Sequence, residues 1–518
     1  MNLPESTTNK RCPLHKKILL SIFSLISVGV IGCRSVNALE VKNIDYGYVK
    51  DKALSLSQSP FSPPQTINNN ITPQEFNSII PDPSRSLWND NGVNFRLNFF
   101  HLGYIYNSPV ILSEFNGSYV QTIPYTNDFF SFGNLAKNSI DKIENLNEGY
   151  AGFKFTYQLN IPNKYDEVFS LLGNRQFRAL GRDNVYGAYS QPFYSIDNSD
   201  VYIKQAWIGK PGIGSNSVIF YIVADSKLCT GAFQYTIYPG ETTKIDVKST
   251  LFFREKTDKI GIAPIISSYM YGTASIKKYN NLYPAIHNSD GFTIKTSTEV
   301  WTPLSNCSIE TVTPYASKEL KYYGLIQRNR DYSGYLNPEI AYQQMPNVWI
   351  EPNWNGYDGV VKLVEYPYFN DNIVFNAENI ITFWSPSEPF TPEKPYDFNY
   401  TINWSSKTPY DYNLAKVFST RQEEINSGKI TYAIRFSGDK INNLVAVTPL
   451  KANILLSGNL ELSGTPEVIK DINNNQWITT FTIKLKNNST KNKLCNVKLF
   501  LELNNIPQTE EWDYSWKM

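Results

Sequence analysis

The chain has 518 residues, with 48 Lys and Arg against 47 Asp and Glu, so its formal charge is close to zero. A near-neutral chain without a basic stripe cannot neutralise a run of phosphates, which excludes nucleic acid as a partner. Three histidines leave little for His-rich metal sites or His-based proton relays, and neither a metal nor an organic cofactor is expected. At ~100–200 residues per domain, the length predicts at least two domains. Tyr alone accounts for 35 residues, while only 18% are charged. Such surfaces suit sugars, whose C–H faces pack on aromatic rings while hydroxyls seek carboxylates and amides.

In chain order, Lys10, Arg11, Lys16 and Lys17 precede the apolar run Ile18 to Gly32. That run fits the apolar part of an export signal and falls short of the ~20 residues that span a bilayer. Residues 1–38 therefore read as a signal peptide. Val36-Asn37-Ala38 suits ordinary cleavage, whereas Val30-Ile31-Gly32-Cys33 has the form of a lipobox, in which Cys33 would carry a lipid anchor. A short helix is predicted over 45–61, with Tyr48, Ala53, Leu54 and Leu56 near helical spacing before Pro60. Beyond it the two-residue period takes over. Val93, Phe95, Leu97 and Phe99 alternate with polar residues, as do Phe481, Ile483 and Leu485, and then Val497, Leu499 and Leu501. Residues 217–224 are almost continuously apolar, which predicts a strand covered on both faces. Cys229, Cys307 and Cys495 are far apart and odd in number, so they read as small buried hydrophobes rather than a disulfide framework.

The fold class is all-β, with a large β-sandwich over 39–385. Pro386, Pro389, Pro392 and Pro395 recur every third residue, the polyproline II period, so 386–396 reads as a stiff linker. The remaining 397–518 match an immunoglobulin-like sandwich in size and strand spacing. No phosphate-binding glycine loop or serine-nucleophile elbow is present. Polar clusters in the second half of the large domain draw the eye instead. They include Arg254 in Phe253-Arg254-Glu255-Lys256, the run His287-Asn288-Ser289-Asp290-Gly291, Gln327-Arg328-Asn329-Arg330, Glu351 in Trp349-Ile350-Glu351-Pro352, and Asn370-Asp371-Asn372. Singly each suits a solvated turn or ion pair; together they suit the loops of a sugar-binding cleft.

Ordered motifs then carry a resemblance along nearly the whole length. They are Phe99-Phe100-His101-Leu102-Gly103, Phe177-Arg178-Ala179-Leu180-Gly181 with Val185-Tyr186-Gly187, and Thr230-Gly231-Ala232-Phe233 with Ile237-Tyr238-Pro239-Gly240. Further on come Ile260-Gly261-Ile262-Ala263-Pro264, the 287–291 run, Gly324-Leu325-Ile326-Gln327-Arg328, Phe383-Trp384 and the closing Glu510 to Trp516. In these the chain resembles the periplasmic glucan biosynthesis proteins of the OpgG/OpgD (MdoG) family. The resemblance implies a large super-sandwich of galactose-mutarotase type with a deep cleft, followed by an immunoglobulin-like domain. It also implies a periplasmic location, a β-1,2-linked glucan as partner, and service to the membrane glucan synthase. Some members resemble inverting endo-β-1,2-glucanases, so the chain is either such a glycoside hydrolase or an inactive glucan-binding scaffold.

Inversion needs one carboxyl as acid and a second, ~6.5–9.5 Å away, as base. The resemblance puts the acid at Glu378, by alignment on Phe383-Trp384, or at Asp371, in the run Asn370 to Val374. At the base position Asn288 stands where the family resembles H-D-S-D-G, and an amide takes no proton from water near neutrality, so the role would pass to Asp290. Tyr342 corresponds to a glucan-binding tyrosine, and Asn288, Arg254 and Glu351 are further candidates for substrate contact. Trp301 is either a ring-stacking platform or a core residue.

Overall fold

A computed structural model describes residues 44–517 except 68, 90–91, 134, 136–138, 142–148, 198, 275–281, 355, 369–377, 410–412, 426–428 and 487–493. The signal segment with Cys33, and Asp371, lie outside the described residues.

The helix forms over Tyr46–Ser57, where the Asp45 side chain accepts from the backbone N–H of Tyr48 and satisfies one otherwise orphaned donor. Val49 and Ala53, one turn apart, are its buried residues, and the Thr230 hydroxyl donates to the carbonyl of Ala53. Leu54 faces outward. The helix covers one face of strand Val218–Asp225: Tyr221 and Val223 pack against it, while Val218, Phe220, Ile222 and Ala224 point into the main core. Two apolar faces explain the continuous apolar run there. In strand Phe95–His101 the alternate residues Phe95, Leu97 and Phe99 are fully buried, as the period predicts.

Strands dominate, and the chain adopts the all-β sandwich expected from its sequence. One sheet has ten strands and a second has fifteen, and the main core draws residues from both. The strand Ile260–Ser267 lies in the ten-stranded sheet between Tyr189–Ser190 and Ile380–Pro386. In the larger sheet Gly291–Lys295 pairs with Glu299–Pro303 on one side and Tyr322–Ile326 on the other. A separate five-stranded sheet, built around Lys429–Ser437 and Gln476–Leu485, closes the carboxy-terminal sandwich. Its facing layer is the end of the fifteen-stranded sheet, in which Glu511–Lys517 pairs in parallel with Glu299–Pro303, Trp512 opposite Trp301.

The linker expected at 386–396 is not a strut between domains. Phe390 exchanges both backbone hydrogen bonds with Thr257, at 2.8 and 2.9 Å, and its ring stacks on Phe253 in the main core. The next strand, Tyr396–Ser405, then pairs with Thr243–Phe253 and Asn347–Pro352 inside the large sheet. The change of core falls between Trp404, in the first, and Ala415, in the second. The proline period fits extended backbone in either setting; burial of the aromatic residue between the prolines decides the outcome.

Candidate functional site

The end of strand Ile260–Ser267 organises the site. A bulge between Ile262 and Ile265 breaks its register, and there Ala263 adopts a left-handed φ of 49°. The Tyr323 hydroxyl donates to the Ala263 carbonyl and the Ser190 hydroxyl to that of Pro264, which holds the bulge from two sides. Just beyond the strand, two segments are clasped on either side. The backbone N–H of Asn288 donates to the Ser268 carbonyl at 2.9 Å, and the hydroxyls of Ser267 and Ser289 meet at 2.9 Å. On the other side the buried Asn379 amide accepts from the Tyr269 N–H at 2.8 Å and donates to its carbonyl at 2.9 Å. Glu378 directly precedes Asn379. The two segments that carry Glu378 and Asp290 thus flank one short stretch, Ser267 to Tyr269.

Asp290 is half-buried and asymmetric. Its Oδ2 accepts from the backbone N–H groups of Arg328 and Asn329 at 2.9 and 3.0 Å, whereas its shielded Oδ1 has no hydrogen-bond partner among the described residues. Burial raises its carboxyl above the usual carboxylate value, against those two amides and the charges of Arg328 and Arg330. His287 stacks on Tyr269, ring centroids 5.3 Å apart, with Tyr335 edge-on to it. Burial drives its imidazole down to about 3, so it is neutral throughout the physiological range. These groups line a small cavity of about 40 Å³, closed on its far side by Val417 to Thr420 of the carboxy-terminal sandwich. Glu378 is exposed to water. It sits beside Tyr189, whose hydroxyl is raised well above its usual value by burial and then by the Glu378 charge.

The other candidates disperse. Trp301 is 4% exposed and lies in the second core. The Arg328 guanidinium covers its ring at 3.5 Å, and Gly291 leaves room for that ring, since a Cβ there would sit 2.1 Å from it. Of the two alternatives for Trp301, core packing is what the structure displays, and its face is not offered to a sugar. Tyr342 is buried, stacked on Tyr335, with its hydroxyl unpartnered among the described residues. Arg254 is occupied elsewhere: it pairs with Asp225 at 3.0 Å and donates to the carbonyls of Leu56 and Ser59, pinning the end of the helix to the sheet. Glu351 is exposed and accepts from Trp349 and Asn403. It lies at the far end of its strand from Asn347, which is the end that reaches Gln327 beside the site. Asn288 is half-buried next to the clasped backbone.

Sequence reasoning missed Tyr269, Asn379 and Tyr189. Nothing local distinguishes Asn379 from a surface amide; only its two bonds to Tyr269 do. Among the described residues no three His, Cys, Asp or Glu side chains converge as metal ligands, and no helix is long and apolar enough to cross a membrane.

Fold and cleft define a large all-β sandwich protein whose strand end is lined by aromatic rings, amides and carboxylates. A family model described as "Periplasmic glucan biosynthesis protein, MdoG" matches residues 44–516, and the chain belongs to this family. Relatives named "Glucans biosynthesis protein G" extend the match. The one from Serratia proteamaculans is 28% identical over 459 residues, covering 85% of this chain and 86% of its own. That from Pectobacterium carotovorum is 29% identical over 454 residues, covering 83% and 85%. That from Bradyrhizobium diazoefficiens is 27% identical over 487 residues, covering 90% and 92%. The chain therefore has a role in periplasmic glucan biosynthesis.

Proposed function

We propose that this chain holds the β-1,2-linked glucan backbone in the cleft at the strand end, gripping the polymer without cutting it. The observation that carries this reading is the state of the two carboxyl positions. A general acid keeps its proton near neutrality through burial, and Glu378 is exposed to water. On the opposite segment a neutral amide, Asn288, stands where a base is required. What remains suits recognition: an exposed carboxylate for sugar hydroxyls, the neutral His287 and the aromatic group around Tyr269. Such a holder would receive or shield the chain that a membrane glucan synthase extends. The amino-terminal signal read from the sequence fits that location, and the mass of the exported chain separates cleavage after Ala38 from acylation at Cys33.

One observation favours hydrolysis instead. Asp290 keeps one oxygen unpartnered, as a base awaiting water would. Incubation with linear β-1,2-glucan, with binding followed by calorimetry and new reducing ends followed over hours, separates the two. Holding predicts binding with no release beyond that of a Glu378→Gln variant, and new turnover on Asn288→Asp. Steady release by the wild type that is lost in both Glu378→Gln and Asp290→Asn establishes the hydrolase.

A further inference from the structure

Outside the strand-end cleft, the solvent-facing side of the ten-stranded sheet carries a second built pocket. Across strands Tyr150–Tyr157, Asp166–Leu172 and Gln176–Ala179, the side chains Phe153, Phe155, Phe169, Leu171 and Phe177 point into the core. On the opposite face Lys154, Ser170 and Arg178 stand in one cross-strand row. Ser170 is the small member between two long cations, and its size opens a hollow of about 170 Å³. That is the room of roughly five waters at ~30 Å³ each, the scale of one sugar ring. Phe100, Tyr106 and Tyr186 supply aromatic walls.

Its polar groups are left incomplete in a matched way. Glu167 is held by Lys154 at 3.1 Å through Oε2, while its shielded Oε1 has no hydrogen-bond partner. The Arg178 guanidinium lies over the rings of Tyr186 and Tyr189, at 5.8 and 5.5 Å, and its shielded Nε also has no partner. Each unmade bond of this kind costs ~1–3 kcal/mol, and more for a charged group, so a fold keeps a pair of them only where something completes it. One spare acceptor and one spare donor at one hollow, walled by rings, fit adjacent hydroxyls of a pyranose: one donates to Glu167 Oε1 and its neighbour accepts from Arg178 Nε. An anion would meet the Glu167 carboxylate, and an apolar ligand would strand both groups. The hollow also adjoins the cleft, since Tyr106 senses the charges of both Arg178 and Glu378.

We propose that this hollow is a hexose subsite that seats one glucosyl unit of the polymer whose neighbouring units pass Glu378. The proposal rests on the glucan-holding reading above.

Calorimetric titration of the full chain with two probes tests it: the β-1,2-linked glucose disaccharide, and a long linear β-1,2-glucan. The variants are Tyr186→Ala, at a partly exposed ring whose removal spares the core, and Glu167→Gln. The disaccharide is expected to bind the wild type saturably and at least tenfold more weakly to both variants, with the melting temperature of Tyr186→Ala unchanged. Undiminished affinity in both variants, or no saturable disaccharide binding by the wild type, overturns the subsite. Failure of the wild type to bind the long glucan, with disaccharide binding intact, overturns the holding reading and leaves the subsite standing.

Discussion

Glu365 is a buried carboxyl whose titration reaches the stability of the whole fold. Its Oε1 accepts from the backbone N–H of Ser305 at 2.9 Å and from its hydroxyl at 3.2 Å, yet burial outweighs both and raises it from 4.5 to about 7. A carboxyl raised in the folded state binds more protons there than in the unfolded chain over that interval. Stability is therefore greatest below about pH 4.5 for this group and falls as pH rises to about 7, by roughly 3 kcal/mol in all. Melting temperatures measured from pH 4.5 to 8 should decline in the wild type and flatten in Glu365→Gln; identical profiles would remove Glu365 as the cause. Trp301 makes a second case at this scale. Enclosed by Gly291, Arg328 and the second core, it should cost ~3–5 kcal/mol of stability on Trp301→Ala, as large aromatic truncations do. A fall in glucan affinity with the melting temperature held would restore the stacking role.

Among elements, the helix Tyr46–Ser57 depends on one guanidinium. Arg254 joins Asp225, which is 2% exposed, to the last turn of the helix through Leu56 and to Ser59 beyond it. Removing one partner of a buried ion pair leaves the other charge uncompensated, at ~3–5 kcal/mol. Arg254→Ala should speed amide hydrogen exchange over residues 46–57 and leave glucan binding unaltered. A selective loss of binding would return Arg254 to the substrate. Arg328 plays a comparable part at the site. Its guanidinium reaches Glu510 at 2.6 and 3.0 Å and the Val417 carbonyl at 2.7 Å, while its backbone N–H holds Asp290. The pairing with fully buried Glu510 is how the carboxy-terminal sandwich fixes the loop that orients Asp290.

Over the whole molecule, the two cores are stitched rather than tethered. Trp301 and Ile326 come from strands of the large sheet yet pack in the second core, and the parallel pairing of Trp301 with Trp512 continues one sheet into the other. A chain ended at Ser405 would expose those residues and the edge of Glu299–Pro303, a free edge that templates aggregation. Such a fragment is expected to precipitate or elute as aggregate in size-exclusion chromatography. A soluble monomer that retains glucan binding would show the large sandwich to be self-sufficient.

Sequence alone determined what depends on local alternation. Phe95, Leu97 and Phe99 declare an inward face, and the unbroken run at 217–224 declares two covered faces, because apolar spacing reports how a segment is buried. The ordered motifs likewise carried the family along the chain. Only the tertiary structure decided what buries what. Phe390 turns a proline-spaced stretch into part of the main core, and Arg328 claims the face of Trp301. Arg254 belongs to a helix 200 positions away, and Asn379 becomes a clasp on Tyr269. Each of these depends on a partner far along the chain. Residue type and spacing register that a side chain wants a partner; only the fold, by bringing distant strands together, selects which one it finds.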